Sequence, residues 1–253
     1  MISRLSNAVF NPDSFFRQVL TWGVLKKNKS PKEWFLFRTA MLRECRLRRA
    51  PYPGVACRPV EELFPPIIKT ECKLKLLRPT AYNLSWEELI TLSQLVVARA
   101  PRSIFEFGTF NGRTTLHLAM NSPESSVVHT IDIKQGGFDF GLDSSYFDVT
   151  EVGGAFLSTI AKGKIVTLTG DSTTYDFSKY YGKMDLVFVD GDHSYGSVLK
   201  DSETAFKLAA PGALIVWHDY LLVDDVTRAV LEMADKRPLV NLKGTSLVVW
   251  ENK

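Results

Sequence analysis

The sequence predicts an α/β fold: a doubly wound, mainly parallel, seven-stranded sheet that ends in an antiparallel hairpin and carries a basic helical extension at its N-terminus. Three observations predict it. From Leu84 onward, short apolar strands alternate with amphipathic helical stretches. Runs such as Met184-Asp-Leu-Val-Phe-Val-Asp190 and Ala213-Leu-Ile-Val-Trp217 are apolar on both faces, as strands covered on both sides must be. The tail 237–250 instead reads as two alternating strands joined at Lys243-Gly244, a hairpin signal.

With 253 residues, 45% hydrophobic and 23% charged, the chain can hold one large α/β domain plus an appendage and can bury a substantial core. This excludes disorder of the whole. No apolar run approaches the length that spans a bilayer, and the start Met1-Ile-Ser-Arg-Leu5 lacks the apolar stretch of a signal peptide. A cytoplasmic protein is therefore expected. Cys45, Cys57 and Cys72 show no Cys-x-x-Cys spacing and are odd in number, so they read as reduced thiols rather than a disulfide framework or zinc knuckle.

Residues 1–80 hold 16 Lys+Arg against 6 Asp+Glu, so the basic character sits at the N-terminal end. Helices are expected near 12–25 and 31–48. Pro51, Pro53, Pro59, Pro65 and Pro66 then break regular structure, which predicts an extended connector to about residue 80. The expected division is a basic, aromatic-rich extension over 1–80 and a catalytic domain over 81–253. Aromatic and basic segments of this kind either pack on a neighbouring domain or meet a membrane surface or an acidic polymer.

Ser85-Trp-Glu-Glu88 is a capping box and opens a helix to about Ala100, with Leu89, Leu92, Leu95, Val96 and Val97 on its apolar face. Strands follow at 103–108, 127–132, 164–169, 184–190 and 212–217, with helices near 112–120, 151–161, 175–181, 195–209 and 223–235. Between Lys134 and Thr150 lies a Gly-, Asp- and aromatic-rich segment, read either as a lid or as an insertion with its own small cluster.

The first strand runs into Glu106-Phe-Gly-Thr-Phe-Asn-Gly112, a glycine-punctuated turn that opens a helix. Gly108 and Gly112 permit a sharp bend and close backbone approach, and helix N-terminal N–H groups can face a ligand. The spacing differs from the G-x-G-x-x-G of dinucleotide folds, and Phe110 would block a pyrophosphate. Glu106 beside the turn suits a ligand with an ammonium group. Here the chain resembles the class I S-adenosylmethionine-dependent methyltransferases, whose first motif has this acid, these glycines and this strand-turn-helix setting.

Other acids end successive strands: Asp132, Asp171, Asp190 and the pair His218-Asp219. Ligands in open parallel sheets sit at those ends. Asp132, about twenty residues after the turn, can accept from both hydroxyls of a ribose. If the fourth and fifth strands are neighbours, Asp190, His218 and Asp219 can converge on a divalent cation, with His193 one turn away. The segments Val189-Asp-Gly-Asp-His-Ser-Tyr195 and His218-Asp-Tyr220 are similar to those of the metal-dependent O-methyltransferases that act on catechols and macrolide sugars.

That resemblance covers about residues 84–250. It implies S-adenosylmethionine contacts at Glu106, Gly108, Thr109, Phe110, Gly112, Asp132, Ile133, Asp171, Ser172 and Asp190, with Asp171 and Ser172 near the adenine. It further implies a metal, Mg or Mn, on Asp190, His218 and Asp219, and His193 with Asp190 as the catalytic pair. Position 218 is His where a second acid is usual, and a nitrogen ligand suits Mn, Fe or Zn better than Mg. The expected reaction is methyl transfer to a hydroxyl of a small molecule or sugar, with homo-oligomerisation left open. An NAD-type oxidoreductase on the same sheet is the competing enzyme reading. A partner-binding protein that uses the basic N-terminus is the non-enzymatic one. Nucleic acid is disfavoured by the lack of an N-P-P-Y-type motif.

Overall fold

A computed structural model describes residues 54–75, 83–133, 153–157 and 160–253. The chain divides into two compact units, residues 1–50 and 51–253, and every described residue belongs to the second. The helices expected near 12–25 and 31–48, and the segment 134–150, lie outside the described residues. Among the described residues no helix is long and apolar enough to cross a membrane.

Among the described residues eight strands form one sheet: β1 (Ala56–Arg58), β2 (Ser103–Phe107), β3 (Val127–Asp132), β4 (Ile165–Thr169), β5 (Met184–Val189), β6 (Ala209–Trp217), β7 (Val240–Leu242) and β8 (Val248–Glu251). Their order is β1-β7-β8-β6-β5-β2-β3-β4. All neighbours are parallel except β8, which runs antiparallel to both β6 and β7 and so forms the expected hairpin. The seven expected strands are present, and β1 is an addition to them. Its sequence reads as a connector because prolines surround it. Those prolines fall outside the three paired residues, and an edge strand needs only one partner, here β7.

Among the described residues the α-helices are α1 (Val60–Leu63), α2 (Trp86–Arg99), α3 (Arg113–Asn121), α4 (Gly154–Leu157), α5 (Tyr195–Leu208) and α6 (Asp224–Ala234). The capping box forms at α2: Glu88 N–H donates to Ser85 Oγ over 3.3 Å, and Ser85 N–H donates to Glu88 Oε2 over 3.1 Å. The helix ends at Ala100, which is left-handed at φ 46° and precedes Pro101. The helix expected over 175–181 reduces to a single 3-10 turn, Ser178–Tyr180. Asp176 Oδ1 takes the Ser178 N–H at 2.9 Å, diverting a backbone donor, and Gly182 at φ 67° turns the chain away.

Side chains alternate across the central strands. Phe105, Phe107, Val187, Val189, Ile215 and Trp217 pack with residues of α5 and α6, including Ala205, Leu208, Val226 and Val230. Ile104, Leu186, Phe188, Leu214 and Val216 pack on the other face with Leu89, Leu92, Leu95 and Val96 of α2 and Leu116 of α3. Each face thus removes a contiguous apolar layer from water, the chief drive for this architecture. After β2 the chain moves outward through β3 and β4, then returns to place β5 and β6 on the opposite side of β2. This reversal opens a crevice at the carboxyl ends of β2 and β5.

Candidate active site

A cavity of about 430 Å³ lies in that crevice. Residues 108–111 line it from the turn after β2, 131–133 from the end of β3, 170–173 from the turn after β4 and 190–193 from the turn after β5; Asn83, Leu84, Thr114 and Ser197 complete the wall. Of the residues expected to hold a cofactor, Gly108, Thr109, Phe110, Asp132, Ile133, Asp171, Ser172 and Asp190 line this cavity. Glu106 and Gly112 do not.

The turn after β2 is built by close approach. Gly108 sits at φ 89°, and a Cβ there would stand 2.0 Å from the Asp190 carbonyl oxygen. Gly112, at φ 79°, leaves room for the Phe156 ring, which a Cβ would meet at 2.7 Å. Between them Phe110 is itself left-handed, at φ 47°. Asp132 holds this backbone: its Oδ2 accepts from Thr109 N–H at 2.8 Å and Phe110 N–H at 2.7 Å, while Oδ1 accepts from Ile133 N–H at 2.7 Å. Burial raises the Asp132 carboxyl above its ordinary range, and these bonds oppose the rise. Two donors expected to face a ligand are used locally instead. Gly112 N–H donates to the Thr109 carbonyl, and Arg113 N–H to Asn111 Oδ1 at 3.1 Å.

Glu106 stands beneath the turn, fully buried. Its Oε2 accepts from the hydroxyls of Thr115 and Thr130, the latter at 2.6 Å, while Oε1 has no hydrogen-bond partner. Burial drives its pKa up to about 8, against the pull of the two threonines, with Asp190 and Asp132 adding to the rise. At neutral pH this group is mostly an uncharged acid, in contrast to the ready anion that the sequence suggests. Asp171 closes a local turn, its Oδ1 accepting from the Thr173 N–H at 2.8 Å and hydroxyl at 2.7 Å. That is the turn-forming role common for Asp, performed at the cavity wall.

β5 and β6 are neighbours, so the acids at their ends do meet. His193 Nε2 lies 3.1 Å from Asp219 Oδ2 and 3.9 Å from Asp190 Oδ1. One ligand-type atom from each of these three residues falls within 4.8 Å of the others, and this is the only such group of three or more among the described residues. Two carboxylates and an imidazole fit a divalent cation of intermediate hardness such as Mn, Fe or Zn. Burial lowers the affinity of His193 for a proton, but Asp190 and Asp219 outweigh it and bring the pKa to about 10. Asp219 and Leu221 are both left-handed, at φ 63° and 71°, strain concentrated at the strand end that carries the cluster.

His218 is placed differently from its expected place in the cation group. Its Nδ1 faces Asp190 Oδ1 at 2.9 Å and Asp219 Oδ1 at 3.3 Å; its Nε2 faces Glu88 Oε2 at 3.3 Å. Both ring nitrogens are directed at carboxylates, which suits an orienting role. His193, taken from sequence as a neighbour of the expected cation site, is one of the three residues in the group that could hold a cation. Glu88 and Ser246 went unnoticed in the sequence as parts of the site. Glu88 reads there only as a cap, and the contacts that bring it in span 130 and 158 residues.

Residues 105–220 match a family model described as a methyltransferase domain. A tapetum-specific methyltransferase of Arabidopsis thaliana is 27% identical over 136 residues, covering 53% of this chain and 54% of that protein. The matched region thus spans about half the length of this curated relative. Among solved structures, an O-methyltransferase of Bacillus cereus in complex with SAH superposes with a TM-score of 0.47 at 20% identity, over 77% of this chain and 90% of that one. The O-methyltransferase TomG of Streptomyces achromogenes, in complex with SAM, gives 0.44 at 17% identity, over 91% and 92%.

Proposed function

We propose, on the premise that residues 105–220 form a methyltransferase domain, that this chain transfers the methyl group of S-adenosylmethionine to a hydroxyl of a small molecule or sugar. One observation carries the reading: the cavity at the sheet's reversal point is walled by the glycine turn and Asp132 on one side and by the Asp190–His193 turn on the other. A nucleoside and its reacting centre can therefore share one crevice.

The residues fit the cofactor. Asp132 and Ile133 offer the ribose end a carboxylate and an apolar edge, and Asp171 with Ser172 give the base polar partners at the turn after β4. Gly108 leaves the backbone open along the cavity. Beneath it, the unpartnered Glu106 Oε1 is an acceptor that an ammonium group would satisfy. Phe110 occupies the cavity wall where a dinucleotide fold needs glycine, which disfavours the oxidoreductase reading.

At the reacting end, Asp190, His193 and Asp219 would hold a divalent cation, whose chemistry is to orient and acidify a bound hydroxyl. The chain's own part is positional. Asp190 and Asp219 direct carboxylate oxygens at His193 Nε2, so the three side chains are held together at the reacting end. With a pKa near 10, His193 begins as an imidazolium, paired with the acids. Loss of that proton would leave a ring lone pair that can serve as a cation ligand or as a base, but not as both at once.

Cytoplasmic location and contact of the basic residues 1–80 with an anionic surface accompany this reading. The experiment that tests it is calorimetric titration of the full chain with S-adenosylhomocysteine. Saturable uptake is expected, and its absence from folded protein would remove the proposal.

A further inference from the structure

We propose that Glu88 is a positioning residue that braces both carboxylates of the cluster from behind; its catalytic consequence rests on the methyl-transfer reading, its geometry does not. Glu88 occupies the third position of α2 and is fully buried. Both of its oxygens are engaged. Oε1 accepts from Ser246 N–H at 2.8 Å and from Ser246 Oγ–H at 2.6 Å. Oε2 accepts from Ser85 N–H at 3.1 Å and faces His218 Nε2 at 3.3 Å.

Two arms run from this carboxylate to the site. In the first, Glu88 fixes one edge of the His218 ring while the opposite edge, Nδ1, meets Asp190 Oδ1 at 2.9 Å. A ring held at both nitrogens cannot turn, so the Asp190 carboxylate is held with it. In the second arm, Ser246 Oγ gives its proton to Glu88 and accepts from Asp219 N–H at 3.2 Å. The next amide, Tyr220 N–H, donates to the Ser246 carbonyl at 3.1 Å. These two bonds secure Asp219 in its left-handed conformation, which persists only where its surroundings determine it.

A cap alone does not account for this residue. Glutamine serves a capping box as well as glutamate does, and an acid with no exposed surface is costly unless its bonds repay the burial. Glu88 and Ser246 also lie on either side of the matched segment 105–220, so this part of the site is built by the flanking chain. Through it, the start of α2 and the β7–β8 turn set the separation of Asp190 and Asp219.

The test compares the full-length wild type with Glu88→Gln and Ser246→Ala, by nitrogen NMR of the His218 ring and by amide hydrogen exchange. Glu88→Gln keeps the side chain's shape but places an amide where the Ser85 and His218 donors now point. It is expected to shift the His218 ring signals and to speed exchange of the Asp219 and Tyr220 amides by about tenfold, with β5 unaltered. Ser246→Ala, which spares α2, is expected to speed the same amides and leave the ring signals in place. Unchanged ring signals and amide rates in Glu88→Gln would overturn the brace; if that variant does not fold, unchanged Asp219 exchange in Ser246→Ala does so. Titration of the wild type with S-adenosylhomocysteine separates the two ideas: no uptake defeats the methyl-transfer reading and leaves the brace intact.

Discussion

Gly108 and Asp190 meet backbone to backbone: a single carbon added to Gly108 would lie 2.0 Å from the Asp190 carbonyl oxygen. The glycine turn and the acidic turn are therefore one packed unit. Gly108→Ala must move one of them and adopt a left-handed φ as well. It is expected to cost roughly 3 kcal/mol, read as a fall of about 6–12 °C in unfolding midpoint. An unaltered midpoint would show that the two turns have room to part.

Asp132 lines the cavity while its oxygens hold the backbone of Thr109, Phe110 and Ile133. Asp132→Ala should therefore loosen the turn as well as remove a ribose partner. Affinity for S-adenosylhomocysteine is expected to fall by about 10- to 100-fold, the worth of one charge-assisted hydrogen bond. Calorimetry on the two proteins measures it, and equal affinities would defeat both roles.

Most of the cavity wall is legible in the sequence because those residues follow strand ends, and strand ends follow from apolar runs. Asp132, Asp171 and Asp190 stand out in that way. What local pattern could not supply is how strands are ordered and which distant side chains meet. Glu88 reaches His218 across 130 residues and Ser246 across 158, and only the placement of α2 over β6 and the hairpin makes those contacts. His218 is expected in the cation group because it ends the fifth strand beside the fourth; its Nδ1 does face Asp190 and Asp219, and its Nε2 also meets Glu88, a contact no local pattern shows. β1 escaped because three paired residues between prolines carry no periodicity.

Glu106 offers a test through protons. Burial first, then the Asp190 and Asp132 charges, bring its pKa to about 8 despite the bonds from Thr115 and Thr130. An ammonium group arriving over the turn would favour the anion, so cofactor binding at pH 7 should release up to about one proton. The release appears as a binding enthalpy that changes between phosphate and Tris buffers, and it should vanish in Glu106→Gln. Identical enthalpies for the wild type would mean that Glu106 takes no part in binding.

The His193–Asp219 contact at 3.1 Å predicts an imidazolium that persists well above neutrality in the metal-free protein. Its folded pKa, about 10, exceeds the ordinary 6.5, so the stabilisation it provides is complete below about pH 6.5 and is lost as pH rises through 10. Asp219→Asn removes one of the two opposing charges and should bring the His193 titration down toward its ordinary value. Proton NMR of the ring follows this directly, and an unshifted titration would contradict the pairing.

Asp201 gives a slope of the same sign, over a lower pH window and from a different cause. It is fully buried on α5, with Oδ2 3.0 Å from where a Cβ on Gly191 would lie, and so packs beneath the acidic turn. Burial, with lesser additions from Asp171 and Asp192 and some relief from Ser172, raises its pKa from 3.8 to about 7. A raised carboxyl binds its proton more tightly in the folded chain, so folding carries no ionisation penalty below pH 3.8, and the penalty grows as pH climbs through 7. Asp201→Asn keeps the size and removes the charge. It should match the wild type near pH 4 and exceed it by roughly 1–3 kcal/mol at pH 8. Denaturant unfolding at the two pH values decides the matter. A variant less stable at pH 8 would mean that the charged form is held by partners strong enough to repay its burial, and the acidic turn would then depend on that charge.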